Sequence, residues 1–244
     1  MESFKVLIIG GTGAIGGELI RCYQEWSSSS GVPLELYATC RHRSSPAQSG
    51  VTWLTMDLRR PETIFAAAEK LTGLTTMLNH WVCCTGYLHG EFGSPEKALK
   101  TLDSEKILGD FAVNSIGPLM MFQACIGLLK RAPLAKAVFL SAQVGSIEDN
   151  RSGGWYGYRM SKAALNMGVR CAAVECGRWG RPPAIVALHP GTTVSRLSEP
   201  FVAHRDPPPQ TAEQCAARLL SRIQSLGVQE SGTFQRLDGS VIPW

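Results

Sequence analysis

The chain is 244 residues long, 44% apolar and 18% charged, with a formal net charge of +4. Such a composition excludes a disordered chain and suffices for one large α/β domain with a buried core. So small a charge excludes nucleic acid as an expected partner, and no apolar run approaches the ~20 residues of a membrane span.

Met1-Glu2-Ser3-Phe4 enters an apolar strand without a charged-then-apolar leader, so the expected location is the cytoplasm, with no membrane partner. In chain order, the first predicted strand covers residues 4–9. Its Val6-Leu7-Ile8-Ile9 run is apolar throughout, as a strand buried on both faces must be. It runs into Gly10-Gly11-Thr12-Gly13-Ala14-Ile15-Gly16, which opens a predicted helix over 14–26. Glycines let this backbone turn sharply and approach a pyrophosphate, while the helix aims its first amides and positive dipole end at the phosphates. Gly10, Thr12, Gly13, Ala14, Ile15 and Gly16 are therefore candidate cofactor contacts.

A polar turn at 27–31 leads to a second strand at 34–39. The residue ending that strand reads the adenosine ribose: a carboxylate there bonds a free 2′-hydroxyl and repels a 2′-phosphate. This chain has Thr39-Cys40-Arg41-His42-Arg43 and no carboxylate. Arg41 is expected to present its guanidinium to a 2′-phosphate, which favours NADP(H) over NAD(H). The alternative is that Arg41 and Arg43 are solvated loop charges.

A loop over 41–50 and a third strand over 51–55 precede Asp57-Leu58. Asp57 is a candidate acceptor for the adenine amino group, with Leu58 on the ring face; equally, Asp57 caps the next segment. A helix over 62–71 and a strand over 77–83 follow, the strand ending in Cys83-Cys84-Thr85-Gly86. The eight cysteines show no second Cys/His pair at zinc spacing, so thiols and no bound metal are expected.

Beyond a loop over 88–101, a long helix is predicted over 105–130, with Asn114 inside it and Gly117-Pro118 after it. Pro118 lacks an N–H, so the Asn114 carbonyl loses its helical partner. Either that carbonyl holds a water, or the resulting kink only shapes the helix. A fifth strand over 137–141 ends in Ser141-Ala142-Gln143-Val144-Gly145. The helix over 156–176 carries Tyr158 and Lys162, four apart and thus on one face at ~3.6 residues per turn. A phenol titrates near ~10. A nearby ammonium and an oxidised nicotinamide favour the phenolate, so Tyr158 can give a proton to a carbonyl oxygen as hydride arrives.

A sixth strand over 184–188 leads through His189, read as a packed or hydrogen-bonded residue, to Pro190-Gly191-Thr192-Thr193. The loop over 192–210, with Pro207-Pro208-Pro209, is the expected substrate lid. A helix over 211–226 and a short strand over 233–237 complete the pattern. Strands alternating with helices give one α/β domain over 1–244: Rossmann-type, doubly wound, a mainly parallel sheet of about seven strands flanked by helices. Ligands in such sheets bind along the C-terminal strand edge.

The glycine loop, Asp57, Asn114, Tyr158-x-x-x-Lys162 and Pro190-Gly191 occur in the order seen in short-chain dehydrogenases/reductases, and the chain resembles that family over essentially its whole length. Residues 145–158 and 238–244 resemble the C-factor and sniffer-like branch, some of whose members are linked to cell-to-cell signalling. The resemblance implies hydride transfer between a nicotinamide and a small carbonyl or alcohol substrate. It implies a water on Asn114 that links Lys162 to solvent, Lys162 on the nicotinamide ribose, and Pro190, Gly191 and Thr192 on the nicotinamide amide and diphosphate. A homodimer or homotetramer through the two long helices is also implied.

Two departures stand out. The family's Asn-Asn-Ala-Gly reads Cys83-Cys84-Thr85-Gly86, so Cys84, Thr85 and Gly86 are expected to meet the cofactor through the backbone turn. The usual catalytic serine falls on Ala142. Ser141, on the opposite strand face, or Ser146 in the next turn is then the candidate hydroxyl. The competing reading is a cofactor-binding regulator with weak or no turnover. An epimerase or a redox-sensing Rossmann protein is expected to show a larger C-terminal substrate domain or to lack the Tyr/Lys pair, and neither is read here.

Overall fold

The computed structural model describes residues 2–41, 48–203, 206 and 208–244. His42, Arg43 and Pro207 lie outside the described residues. Seven strands form one sheet in the order β3-β2-β1-β4-β5-β6-β7. They are β1 (Phe4–Ile9), β2 (Leu34–Cys40), β3 (Val51–Thr55), β4 (His80–Cys83), β5 (Lys136–Leu140), β6 (Ala184–His189) and β7 (Phe234–Arg236). Every neighbouring pair is parallel. Strand order reverses between β1 and β4, which opens a crevice at their C-terminal ends.

The side-chain period of a strand divides the core in two. Leu7, Ile9, Trp81 and Phe139 pack under α2 (Pro61–Leu74), α4 (Gly117–Arg131) and α5 (Tyr156–Cys176). Val6, Ile8, Val82 and Val138 face the other way, under α1 (Ala14–Ser30) and α6 (Ala212–Ser225).

Among the elements that differ from the sequence expectation, three carry a physical reason. Helix α1 runs through the serines to Ser30, because Ser28 and Ser29 bond back to helix carbonyls and the chain turns only at Gly31, in the left-handed region at φ 70°. Strand β4 starts at His80 because the Leu78 N–H donates to the Leu128 carbonyl of α4 instead of a strand. The predicted 105–130 helix is two helices, α3 (Ser104–Phe111) and α4, joined by a π-helical turn at Ala112–Ile116 just before Pro118. By length and composition the stretch Ser104–Arg131 could cross a membrane, contrary to the expectation that no run is long enough. Its Met121, Phe122, Cys125 and Leu129 are buried against the sheet, as in a core helix.

Candidate active site

The phosphate loop is held by the end of β2. The Gly10 N–H donates to Thr39 Oγ1 at 2.9 Å and the Gly11 N–H to the Thr39 carbonyl at 3.0 Å. A Cβ on Gly16 would sit 2.2 Å from the Gly10 carbonyl oxygen, so only glycine lets helix and loop approach this closely. Thr12, Gly13 and Ala14 are exposed and Ile15 half-buried. Helix α1 has no side-chain cap and no acidic residue in its first turn, leaving its amides and dipole to an anion.

On the adenosine side, Arg59 grips Asp57, with Nη2 2.7 Å from Oδ2, and also pairs with Glu91. Arg59's hydrogen bonds hold the Asp57 carboxyl below its ordinary range, and Arg41 adds a smaller pull in the same direction. Asp57's charge is thus already matched by Arg59. Arg41 is exposed and, among the described residues, makes no ion pair. Leu58, expected on the adenine face, also packs on the helix side. It is buried beside Gly117, whose Cβ would lie 2.6 Å from the Leu58 side chain.

Tyr158 and Lys162 are both buried on one face of α5. The ammonium donates to the Leu140 carbonyl at 2.9 Å and lies 6.0 Å from the Tyr158 ring centroid, over the ring and not on the phenol oxygen. Burial pushes the Tyr158 phenol above its ordinary value, with Asp110's charge adding to the rise. Burial holds Lys162 down at about 8.

The lysine's burial has a stability consequence. As pH falls below 10.5 the unfolded chain takes up this proton first, so the native state loses relative stability until about pH 8, where the cost is complete. That cost is about 3 kcal/mol at ~1.4 kcal/mol per pH unit. Lys162→Met should therefore raise the thermal midpoint at neutral pH, with the gap over the unaltered protein closing toward pH 10. A constant gap would show that Lys162 ionisation is not involved.

Asn114 sits in the π turn, fully buried. Its side chain accepts from the Tyr87 N–H at 2.7 Å, donates to the Tyr87 carbonyl at 2.8 Å and donates to Ser161 Oγ at 3.0 Å. Ser161 in turn donates to the Tyr158 carbonyl at 2.9 Å. Asn114 thus links the segment after β4 to the turn of α5 that carries the phenol. Ser161, three residues beyond Tyr158, was within reach of a sequence reading as a polar residue on the buried face. Tyr87 takes part through its backbone and left no signal.

Ser141 is not placed as a second donor. Its hydroxyl donates to Asn166 Oδ1 at 2.6 Å, one helical turn past Lys162, because alternation along β5 turns it toward α5. Ser146 accepts from the Asp149 N–H and donates to the Trp244 carbonyl. Neither hydroxyl bonds to Tyr158.

Cys84 and Thr85 are half-buried and Gly86 exposed at the end of β4. Thr85 Cγ2 would lie 2.8 Å from a Cβ on Gly10, which places this turn beside the phosphate loop. Pro190 and Gly191 follow β6 and are tied by Gln210, whose amide donates to the Pro190 carbonyl at 2.5 Å. The ends of the 192–210 loop pair with each other, Gln210 N–H to Thr192 carbonyl at 3.0 Å and Val194 N–H to Gln210 carbonyl at 2.9 Å. Between them the described residues lean over the site. Leu197 lies 3.2 Å from a Cβ on Gly86, His89 Nε2 approaches the Arg196 and Leu197 carbonyls, and the Phe201 and Trp155 rings are 4.9 Å apart. Trp155 holds φ 50° at the start of α5, a strained conformation for a bulky residue, and its ring meets Tyr158 at 6.3 Å. A cavity of about 350 Å³ opens beyond Pro190, Gly191 and Thr192, toward Arg218 and Arg236.

Residues 5–206 match the family model for short chain dehydrogenase. The chain is 35% identical over 190 residues to 1-hydroxy-2-glutathionyl-2-methyl-3-butene dehydrogenase of Rhodococcus sp. (strain AD45), covering 78% of each protein. It is 32% identical to C-signal of Myxococcus xanthus over 149 residues, 60% of this chain and 84% of that protein. Among solved structures, it superimposes over all of both chains on carbonyl reductase Sniffer of D. melanogaster with a TM-score of 0.85 at 23% identity. NADPH-bound carbonyl reductase from chicken fatty liver gives a TM-score of 0.85 at 24% identity, again over all of both chains.

Proposed function

The chain belongs to the short-chain dehydrogenase family, and from that premise we propose that it reduces a small aldehyde or ketone with NADPH. The observation that carries the reading is the Tyr158/Lys162 pair, buried together on α5 and tied through Ser161 and Asn114 to the crevice beside the glycine loop.

NADPH, when bound, would supply the hydride; the chain's residues bind, orient and move a proton. The glycine loop and the open end of α1 hold the diphosphate. Arg41 takes a 2′-phosphate, favoured because Asp57 is neutralised by Arg59. The backbones of Cys84, Thr85, Gly86, Pro190, Gly191 and Thr192 flank the nicotinamide half, and Lys162 reaches the ribose. Tyr158 donates its proton to the carbonyl oxygen, and the Lys162 ammonium counters the phenolate left behind. Trp155, Phe201 and His89 wall the substrate side, with the segment around Arg196, Leu197 and Phe201 as lid. The likeness to NADPH-bound carbonyl reductase supports this assignment. The test is NADPH oxidation against a panel of aldehydes and ketones.

A second reading rests on one observation: Ala142 leaves Tyr158 without a serine partner, and neither Ser141 nor Ser146 replaces it. A protein that binds NADPH tightly yet turns over no carbonyl would be a cofactor-dependent regulator, a reading the likeness to C-signal also favours. In either case we place the protein in the cytoplasm and pair it with a second copy. Leu108 and Ile116 on the α3–α4 side and Met160 and Met167 on α5 are exposed apolar side chains on the two long helical stretches. Ile116→Lys with Met167→Glu should convert the sedimenting species to a monomer. An unchanged mass in the double variant would move the interface elsewhere.

A further inference from the structure

Behind the first turn of α5 lies a buried charge cluster that the reaction above does not use. Glu96, Lys106 and Asp110 are 4%, 1% and 0% exposed. Lys106 Nζ donates to Asp110 Oδ2 at 2.6 Å and lies 5.2 Å from the Tyr87 ring centroid. Glu96 holds the entry to α5 twice: its carbonyl accepts from the Trp155 N–H at 2.5 Å, and its Oε2 from the Gly157 N–H at 3.2 Å. Both carboxyl groups converge on Gly157, where a Cβ would lie 2.3 Å from Asp110 Oδ2 and 3.1 Å from Glu96 Oε1. Any other residue before Tyr158 would push the carboxyl groups apart.

The charges do not balance. Two carboxylates share one ammonium, and among the described residues no other cation pairs with either. A net negative charge in a dry site is strongly disfavoured. Glu96 Oε1 and Asp110 Oδ1 are also buried without a hydrogen-bond partner. A proton on one of the two carboxyl groups cancels the excess charge and turns that carboxyl into a donor.

We propose that Glu96 and Asp110 hold one proton between them, forming with the Lys106 ammonium a neutral buried triad that clamps the Gly157 end of α5 and positions Tyr158. Five titratable groups face this site: Lys106 and Asp110 from α3, Glu96 from the 88–101 loop, Tyr158 from α5, and Tyr87, whose ring covers the ammonium. Burial, opposed by Lys106 and reinforced by Glu96, holds Asp110 up at about 6. Loss of the proton leaves a negative charge that makes Tyr158 a poorer acid, a consequence that rests on the proposed function, whereas the triad itself does not.

Infrared spectroscopy of the whole protein tests the proton directly. Near pH ~6 exposed carboxyls, with pKa values near ~4, are ionised, so a remaining carboxylic C=O stretch reports a buried proton. The expected band titrates away with rising pH. It is missing in both Glu96→Gln and Asp110→Asn, because each variant leaves one carboxylate for one ammonium, and it persists to higher pH in Lys106→Met. No band in the unaltered protein, or one that survives both variants, overturns the triad.

The kinetic readout tests the clamp. Glu96→Ala removes the acceptor for Gly157 and should lower kcat by up to roughly 10²-fold with NADPH affinity unchanged. Glu96→Gln keeps an acceptor and should abolish the ionisation that the band and the pH profile of kcat share. A profile unchanged in Glu96→Gln overturns the positioning role. If the band behaves as expected and no carbonyl is reduced, the functional reading fails and the triad stands.

Discussion

Replacing Tyr158 by Phe should lower kcat by roughly 10²- to 10⁴-fold, the range general acid catalysis supplies, while NADPH affinity stays within a factor of about three. Phenylalanine keeps the ring, and with it the edge contact to Trp155 and the fit beneath the lid, so only the proton is removed. The separation of the two quantities is what matters. A fall in both would mean that the side chain holds the cofactor or the fold. Full turnover in the variant would mean that a solvent molecule or another group protonates the product. The effect should lie toward the upper end of the range, because Ala142 carries no hydroxyl and Ser141's is committed to Asn166.

Arg41→Ala should weaken NADPH by about 10- to 100-fold, the worth of a charge-assisted hydrogen bond of about 1.5–3 kcal/mol, and leave NADH nearly unchanged. The sign follows from the local charge. Arg59 is engaged by Asp57 and Glu91, whereas Arg41, at the end of β2, makes no ion pair among the described residues and is offered to a 2′-phosphate. Fluorescence titrations of both dinucleotides decide it. Equal losses for the two would assign Arg41 to the shared diphosphate, and no loss would make it a solvated charge.

What the sequence revealed and what it hid divide along a physical line. Periodicity is local, so the seven strands, the glycine loop and the Tyr158/Lys162 face could be read from neighbouring residues. Pro118 announced an irregularity, and the π turn at Ala112–Ile116 is the form it takes. Contacts between segments far apart in sequence were invisible. These include Asn114 on the Tyr87 backbone, Leu197 over Gly86, and Glu96 beneath Gly157. Ser141 shows the difference within one residue: its place at the strand end was legible, while its bond to Asn166 depended on a helix 25 positions away. Leu58 was expected on the adenine face, and its contact with Gly117, 59 positions away, was likewise out of sight.

The most direct measurement follows a single atom. NADPH carrying deuterium at the transferring position of C4 is incubated with the protein and a panel of aldehydes and ketones. Reduction by the route described here yields an alcohol with one deuterium on the former carbonyl carbon, and none there when light NADPH is used in deuterated water. Tight binding of NADPH with no deuterium delivered to any carbonyl would contradict the account and leave a dinucleotide-binding regulator in its place.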